Sequence, residues 1–314
     1  MHDKNRMLNR IPGFSFWTHT KICDNVLAFL MLLPLMVIFG IVIIIPILKG
    51  IIMSFCDYAL CNMNNPTWNS FGNYRNIFKN WEVLRYLVTT LVYVSLTVLI
   101  QFVIGMGIAL LMNTNVRGKR VWRGLFLVPW TIPSVVVAIL WRWMLQEQFG
   151  VLNYLLHGVG ITSSMQIAWT QSNGLAMASV VMAAIWRQLP YTMLMLLAGL
   201  QAVDHSLVEV ATIDGAHRFQ IFRHVTVPAI RPVIHTTIWI SVLDNFQMFT
   251  IIFNMTGGGP VDATTTLSLA TYKRAFTAYN FGQASAIGVI WMAFLVLASV
   301  YYNRMGAKYS SDYL

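Results

Sequence analysis

The chain is poor in charge. Only 10% of its 314 residues are Asp, Glu, Lys or Arg, against roughly 25% in a soluble domain, so a water-facing surface cannot clothe it throughout. Cysteine is scarce as well. Cys23, Cys56 and Cys61 fall at no zinc-ligand spacing. Cys56 and Cys61 could bridge, but two free thiols flanked by apolar residues are the expected state. No Gly-x4-Gly-Lys-Ser/Thr occurs, so the usual nucleotide cradle is missing and ATP chemistry must come from elsewhere. His205, His217, His224 and His235 lack the glutamate-linked spacing of a metal site. There is no internal repeat and no low-complexity linker. A cleavable signal would need a short apolar core near the start. Instead residues 1–25 are polar and basic and lead into an apolar stretch of more than 25 residues, which reads as a retained span.

What the chain has in abundance is apolar surface: 57% hydrophobic residues and a mean hydropathy of +0.62. Six windows reach the roughly 20 residues that cross a bilayer as helix: 26–53, 84–112, 124–145, 174–201, 227–253 and 283–303. Prolines interrupt several, namely Pro34 and Pro46, Pro129 and Pro133, and Pro190. Neighbouring helices can re-satisfy the freed carbonyls. The expectation is an all-α, six-span protein, with tails at 1–25 and 304–314 flanking a domain at 26–303.

The net charge of +10 does not form a stripe, which argues against nucleic acid. It sorts by side of the membrane. Lys4, Arg6, Arg10, Lys21, Arg117, Lys119, Arg120, Arg123, Arg218, Arg223, Arg304 and Lys308 fall in one set of loops and tails. Arg75, Lys79, Lys273 and Arg274 fall in the other. Cytoplasmic loops carry the excess of Lys and Arg, so both termini are expected in the cytoplasm. On the outer side, residues 151–156 read as a short amphipathic helix or as ordinary surface loop.

The cytoplasmic stretch 203–226 is long for a hairpin between spans. Ser206 and Glu209 have the spacing of a capping box, Gly215 breaks the helix, and Phe219, Phe222 and Val225 recur at every third position. An apolar face outside the bilayer needs something to pack against. Inside the spans, polar groups are costly and often functional. Arg187 and Gln188 fall mid-span in the fourth window, and Asp244, Asn245 and Gln247 in the fifth. Asp244 and Arg187 could pair across the bundle or line a pathway. Gln188 and Tyr191 share a helix face. Trp130, Trp141 and Trp143 read as interface anchors or packing, with one of them open as a pathway-lining residue. Gly257-Gly258-Gly259 lacks the strand and lysine of a phosphate loop and reads as a flexible external turn.

Glu209, Ala211, Asp214, Gly215, Ala216, Phe219, Phe222, Val225, Val227 and Pro228 resemble the glutamate-alanine-alanine loop of binding-protein-dependent ABC importer permeases, with Val210 where alanine is usual. Phe71-Gly72-Asn73-Tyr74, Trp186 with Pro190-Tyr191, Leu197 to Gln201, and Thr256 to Pro260 are similar to the carbohydrate branch, its maltose-type and glycerol-phosphate-type first permeases. The resemblance spans roughly 26–303 and implies a type I importer permease fold in the bacterial inner membrane. It implies that Glu209, Ala211, Asp214, Gly215, Ala216, Phe219, Phe222 and Pro228 dock a coupling helix on an ATPase. It implies that Gln188, Tyr191, Gln247 and, more weakly, Asp244 meet a sugar or oligosaccharide. It implies that Gly257, Gly258, Gly259 and Pro260 meet an extracytoplasmic binding protein. A second permease and an ATPase dimer are the implied partners beside lipid, with ATP and magnesium held there and no cofactor on this chain. An ion-coupled transporter or channel is the rival reading, although the inverted repeat such proteins often show is missing.

Overall fold

The structure is a computed structural model. It describes residues 21–311 apart from Asn80, Asn115, Val116, Ser163 and Met165, with side chains described from Leu27 to Arg304. Lys4, Arg6 and Arg10 lie outside these residues, as do the side chains of Lys21, Cys23 and Lys308. The described residues form two compact units, one ending at Met53 and the other beginning at Ser54.

The described part of the first unit is one long helix, made of α1 (Lys21–Phe39), a π-helical turn (Gly40–Ile44) and α2 (Ile45–Ser54) up to Met53. No residue from Leu27 to Met53 is buried. A helix apolar on every side is one to be covered by lipid or protein.

Its π-turn has a local cause. The ring of Pro46 would strike the carbonyl four residues back, and its missing N–H leaves that carbonyl without a donor. One wider turn, closed by Ile45 N–H to the Gly40 carbonyl, absorbs the mismatch. The same arrangement recurs in the second unit. There the π-turn Phe222–Thr226 closes from Val227 N–H to the Phe222 carbonyl, and Pro228 follows at the same offset.

The second unit is built on α4 (Glu82–Asn113) and α8 (Asn173–Gln201), which form its most extensive helix pair. Of the apolar window in α8, 61% is buried, against 39% in α4 and 17% in the last long helix. So α8 is the central wall. Gly105 lets α4 approach it, since a Cβ there would stand 2.9 Å from the Thr192 methyl. Between these two long helices lie α5 (Lys119–Thr131), α6 (Ser134–Met144) and α7 (Val151–Gly158). Before them come the two-residue strands β1 (Cys56–Asp57) and β2 (Thr67–Trp68), paired antiparallel, and α3 (Gly72–Lys79). The Asn73 amide ties α3 to the Ser54 and Cys56 carbonyls at 2.9 and 2.8 Å.

Among the described residues, four helices are long and apolar enough to cross a membrane, or six if each of two bent pairs is one span. The third window, expected as one helix over 124–145, is α5 and α6 meeting at 95°. Ile132 precedes Pro133 and is driven to extended backbone, ψ 131°. The fifth window, expected over 227–253, is displaced toward the N-terminus, to 218–246. After α9 (His205–Ile213), the segment α10 (Arg218–Ile221), the π-turn and α11 (Val227–Ala229) bends by 71° into α12 (Arg231–Phe246). Residues 247–249 then separate α12 from α13 (Thr250–Met255), and α14 (Leu267–Tyr272) and α15 (Phe281–Ser311) complete the chain.

Cys56 and Cys61 are both free. The amphipathic piece expected near 151–156 is helix α7. Buried Asn153 pins it, donating to the Glu147 carbonyl at 3.1 Å and accepting from Trp169 Nε1 at 2.6 Å.

Candidate functional site

A cavity of about 330 Å³ opens between α5, α8 and α12, lined by Trp130, Arg187, Gln188, Tyr191, Ser241, Asp244 and two apolar side chains, Ile240 and Met248. Arg187, Gln188 and Tyr191 fall on one face of α8, and Ser241 and Asp244 on one face of α12, as helical spacing requires. Of the four residues expected to meet a substrate, Gln188, Tyr191 and Asp244 are brought together here. Gln247 is not. Helix α12 ends at Phe246, so residue 247 no longer continues its face, and it is exposed outside the lining.

Arg187 and Asp244 face the same cavity without a direct ion pair; the ion pairs among the described residues are Lys273–Asp262 and Arg274–Glu82. The Nε of Arg187 is buried without a hydrogen-bond partner. Trp130, expected as an anchor or as packing, leans on Tyr191 with ring centroids 6.1 Å apart and gives the cavity an aromatic wall. Trp141 packs against Trp186, and Trp143 stays 66% exposed.

Behind the cavity is a buried polar clasp. The Asn245 amide donates to Gln188 Oε1 at 2.8 Å and to the Ser241 carbonyl at 2.9 Å. Its Oδ1 accepts from Gln188 Nε2 at 3.3 Å and from the Tyr93 hydroxyl at 3.2 Å. Gln101 of α4 donates to Thr192 of α8, and at 3.5 Å to Ser241 of α12. Three helices are thus joined at one level by side chains between 0% and 6% exposed. Sequence reasoning noted Asn245 as an in-span polar residue but gave it no role, and it missed Tyr93 altogether. A tyrosine in an apolar run carries no mark that its hydroxyl faces an amide.

The loop between α8 and α12 begins with Asp204. Its carboxylate accepts from Ser206 N–H at 2.9 Å and caps α9, and that bond holds its carboxyl below the usual carboxylate range. The expected Ser206–Glu209 capping box is therefore not formed, because Ser206 is already inside the helix. Gly215 has φ +80°, with Ala216 N–H on the Ala211 carbonyl at 3.0 Å and Gly215 N–H on the Thr212 carbonyl at 3.1 Å. This is a Schellman end, where glycine is favoured. Asp214 is its C-cap residue. His217 then caps α10, its Nδ1 accepting from Gln220 N–H at 3.2 Å while the Gln220 side chain accepts from His217 N–H at 3.0 Å.

The apolar face of this loop differs from the expected one. Phe222 turns inward onto the buried apolar cluster that includes Met112, Leu200 and Ile230, and Val225 is half-buried. Leu207, Val210, Ile213 and Phe219 are 52, 57, 84 and 64% exposed, so they form the surface that wants a partner. Glu209 and Asp214 are exposed beside them, Ala211 and Ala216 are half-buried, and Pro228 lies in α11.

At the other end of the chain's helices, residues 257–260 are fixed rather than flexible. Gly258 is buried at φ +91°, and a Cβ on it would lie 2.3 Å from Thr265 Oγ1. Its carbonyl accepts from Thr264 N–H at 3.1 Å and Thr265 Oγ1 at 3.2 Å. Arg85 of α4 donates to the Val261 carbonyl. Asp262 accepts from Thr265 at 2.7 Å and from Lys273 at 3.2 Å. Burial pushes the Asp262 carboxyl up, but those hydrogen bonds and the charges of Lys273 and Arg85 outweigh it and hold it below the ordinary range. What the locked loop presents outward is Val261, 77% exposed.

A helical unit with a polar cavity between apolar helices and an exposed apolar face on one connecting loop has the parts of a membrane transport permease. Residues 101–310 match the family of the binding-protein-dependent transport system inner membrane component, and the chain belongs to that family. It is 31% identical to the trehalose/maltose transport system permease protein MalF of Thermococcus litoralis, over 89% of this chain and 93% of that one. It is 28% identical to the sulfoquinovosyl glycerol transport system permease protein SmoG of Agrobacterium fabrum, over 94% of each. A chain of a bacterial ABC transporter that imports the acidic polysaccharide alginate superposes with a TM-score of 0.78 at 22% identity, over 91% of this chain and 97% of that chain. That likeness establishes the fold of an ABC importer permease.

Proposed function

We propose that this chain is one wall of the pathway of an ATP-driven importer for a sugar or short saccharide. The observation that carries the reading is the cavity at α8 and α12. An aromatic wall from Trp130 and Tyr191 suits the apolar face of a sugar ring. The guanidinium of Arg187 and the carboxylate of Asp244, facing one space unpaired, suit its hydroxyls as donor and acceptor. Gln188 offers what its amide retains beyond Asn245. The relatives named for trehalose/maltose and sulfoquinovosyl glycerol support the same substrate class.

Energy comes from partners. Leu207, Val210, Ile213 and Phe219, with Glu209 and Asp214 beside them, fit a groove on an ATPase subunit, and a second permease completes the pathway. ATP and magnesium are held on the ATPase, and this chain carries no cofactor. The rigid loop 257–260 with Val261 meets an extracytoplasmic binding protein; the alginate importer is known in complex with its periplasmic protein. Both termini face the cytoplasm of a bacterial inner membrane. Binding protein and nucleotide each favour one state of the pathway, and their differential affinities drive the alternation.

The test is purification of the C-terminally tagged chain under mild detergent, with Gly215→Pro as the variant. Proline cannot take φ +80° or donate the Gly215 N–H. An ATPase and a second permease should co-purify with the native chain, and the ATPase should be lost from a variant whose helix content is unchanged. A native chain that emerges alone, or only as a self-oligomer, would overturn the reading and favour ion-coupled transport.

A further inference from the structure

Helix α7 is built inside out. Val151, Tyr154, Leu155, Gly158 and Val159 recur at the spacing of one helix face, and all five are exposed. The four side chains among them are 47, 70, 54 and 75% exposed. The opposite face holds Leu152, Asn153, Leu156 and His157, buried or half-buried. A helix on a water-facing surface turns its polar residues outward; here the asparagine and the histidine lie on the inner face. The roll of the helix is fixed. Beside its bonds to Glu147 and Trp169, the Asn153 amide donates to the Ile167 carbonyl at 3.3 Å. An apolar face held outward in this way is a contact surface.

Position and charge identify what covers it. The Ser179 hydroxyl donates at 3.3 Å to the carbonyl of Trp169, the same residue that donates to Asn153. Ser179 stands six residues after Asn173, the first residue of α8, roughly 9 Å along the helix axis. So α7 is tied to the first turns of a span, at the end away from the 203–226 loop. From Gln148 to Trp186 the chain has no Asp, Glu, Lys or Arg. A protein interface is rimmed by polar groups, and this face offers only the Tyr154 hydroxyl. Phe149 adjoins Val151 and Tyr154 in one concavity, and Trp143, at the end of α6, is exposed. Tyrosine and tryptophan gather where a bilayer meets water.

We propose that α7 is an interfacial helix lying in the bilayer surface, with Val151, Leu155 and Val159 among the lipid chains and Tyr154 at the headgroups. The test attaches a nitroxide to single cysteines in a Cys23→Ser, Cys56→Ser, Cys61→Ser background, with the assembled transporter in phosphatidylcholine vesicles without binding protein. The variants are Val151→Cys, Leu155→Cys, Leu156→Cys and Val159→Cys, with Val261→Cys as the water control. Power saturation reads collisions with oxygen, which dissolves in lipid, and with a neutral nickel chelate, which stays in water. Labels at 151, 155 and 159 should meet oxygen more than nickel, at a depth of about 5–10 Å. The label at 261 should show the reverse, and the one at half-buried 156 should meet little of either. Nickel access at 155 and 159 equal to that at 261 would put the face in water and overturn the proposal. So would shielding from both reagents, which would mean that a partner subunit covers it. Nickel access that disappears only when binding protein is added would make the face a protein dock, and overturns the proposal as well.

Discussion

Replacing Asn245 by leucine removes the centre of the clasp behind the cavity while keeping most of its volume. Three interhelical hydrogen bonds disappear, two with Gln188 and one from Tyr93. Interhelical bonds in membrane proteins average about 0.6 kcal/mol each, which sets a floor near 2 kcal/mol. The ceiling comes from the groups left behind. Gln188 at 6% exposure and the Tyr93 hydroxyl at 0% would lose partners, at about 1–3 kcal/mol for each unsatisfied group. An expected loss of about 2–6 kcal/mol follows from the two limits taken together. Gln188→Leu should cost less, since Asn245 keeps its bond to the Ser241 carbonyl at 2.9 Å. The double variant removes both amides and should be less damaged than the sum of the singles, by about 1–2 kcal/mol. The measurement is reversible unfolding of all four proteins in mixed detergent–SDS micelles, followed by near-ultraviolet circular dichroism. Strict additivity of the two single changes, within about 0.3 kcal/mol, would refute the clasp.

Two other changes test the ends of the chain's helices. His217→Ala removes the side-chain acceptor that caps α10 and should cost about 1 kcal/mol of local helix stability, read as faster amide exchange at 218–222 and weaker ATPase binding; His217→Asn should restore both. Asp262 has a depressed carboxyl pKa in the folded loop, so its contribution is fully present above its unfolded value of about 3.9 and is lost as the pH falls through the folded value. Between pH 5 and 8 the 257–265 segment should show constant protection, with a decline only below about pH 4, and Lys273→Met should shrink that acid dependence.

Much of the fold was legible because membrane helices announce themselves by length and hydropathy, and the four unbroken spans came within two residues of expectation at most ends. The breaks were harder. Hydropathy does not fall where a helix turns a corner inside the bilayer, so 124–145 read as one span although Ile132 and Pro133 divide it. Proline in the pattern marked a disturbance, but not whether it would be a 95° corner, as here, or the π-turns before Pro46 and Pro228. The cavity residues were legible where helical periodicity held, at Gln188, Tyr191 and Asp244. Gln247 falls outside the cavity lining because α12 ends one residue earlier. The glycine run at 257–259 looked pliant from composition alone. Only the fold shows Thr264, Thr265 and Lys273 closing over Gly258.

The π-turn at Phe222–Thr226 and the corner at Ile230 bear on how a displacement of the 203–226 loop would reach the cavity. From His217 to Phe246 the chain is a capped helix, a π-turn, a 71° corner and then α12, which carries Ser241, Asp244 and Asn245. No flexible linker intervenes between the exposed Phe219 and the clasp. Phe222, which opens the π-turn, and Ile230, at the corner, both seat in the apolar cluster that includes Leu200 and Met112, so the corner is packed against α8 and α4 rather than free in solvent. Close packing resists continuous deformation. A displacement applied at α9 and α10 is therefore expected to move α12 as a body against α8, where Gly199 brings the two helices close, a Cβ there standing 3.0 Å from Val233. The Gln188–Asn245 bonds lie on that same α8–α12 boundary, behind the cavity and on its side away from the 203–226 loop. They must either travel with both helices or break in one of the two states. The first case makes Asn245 a purely structural residue, felt only in stability. The second makes it a latch whose loss shifts the resting balance of the pathway, so that Asn245→Leu would raise ATPase activity in the absence of binding protein while Gln101→Leu, which leaves the amide pair intact, would not.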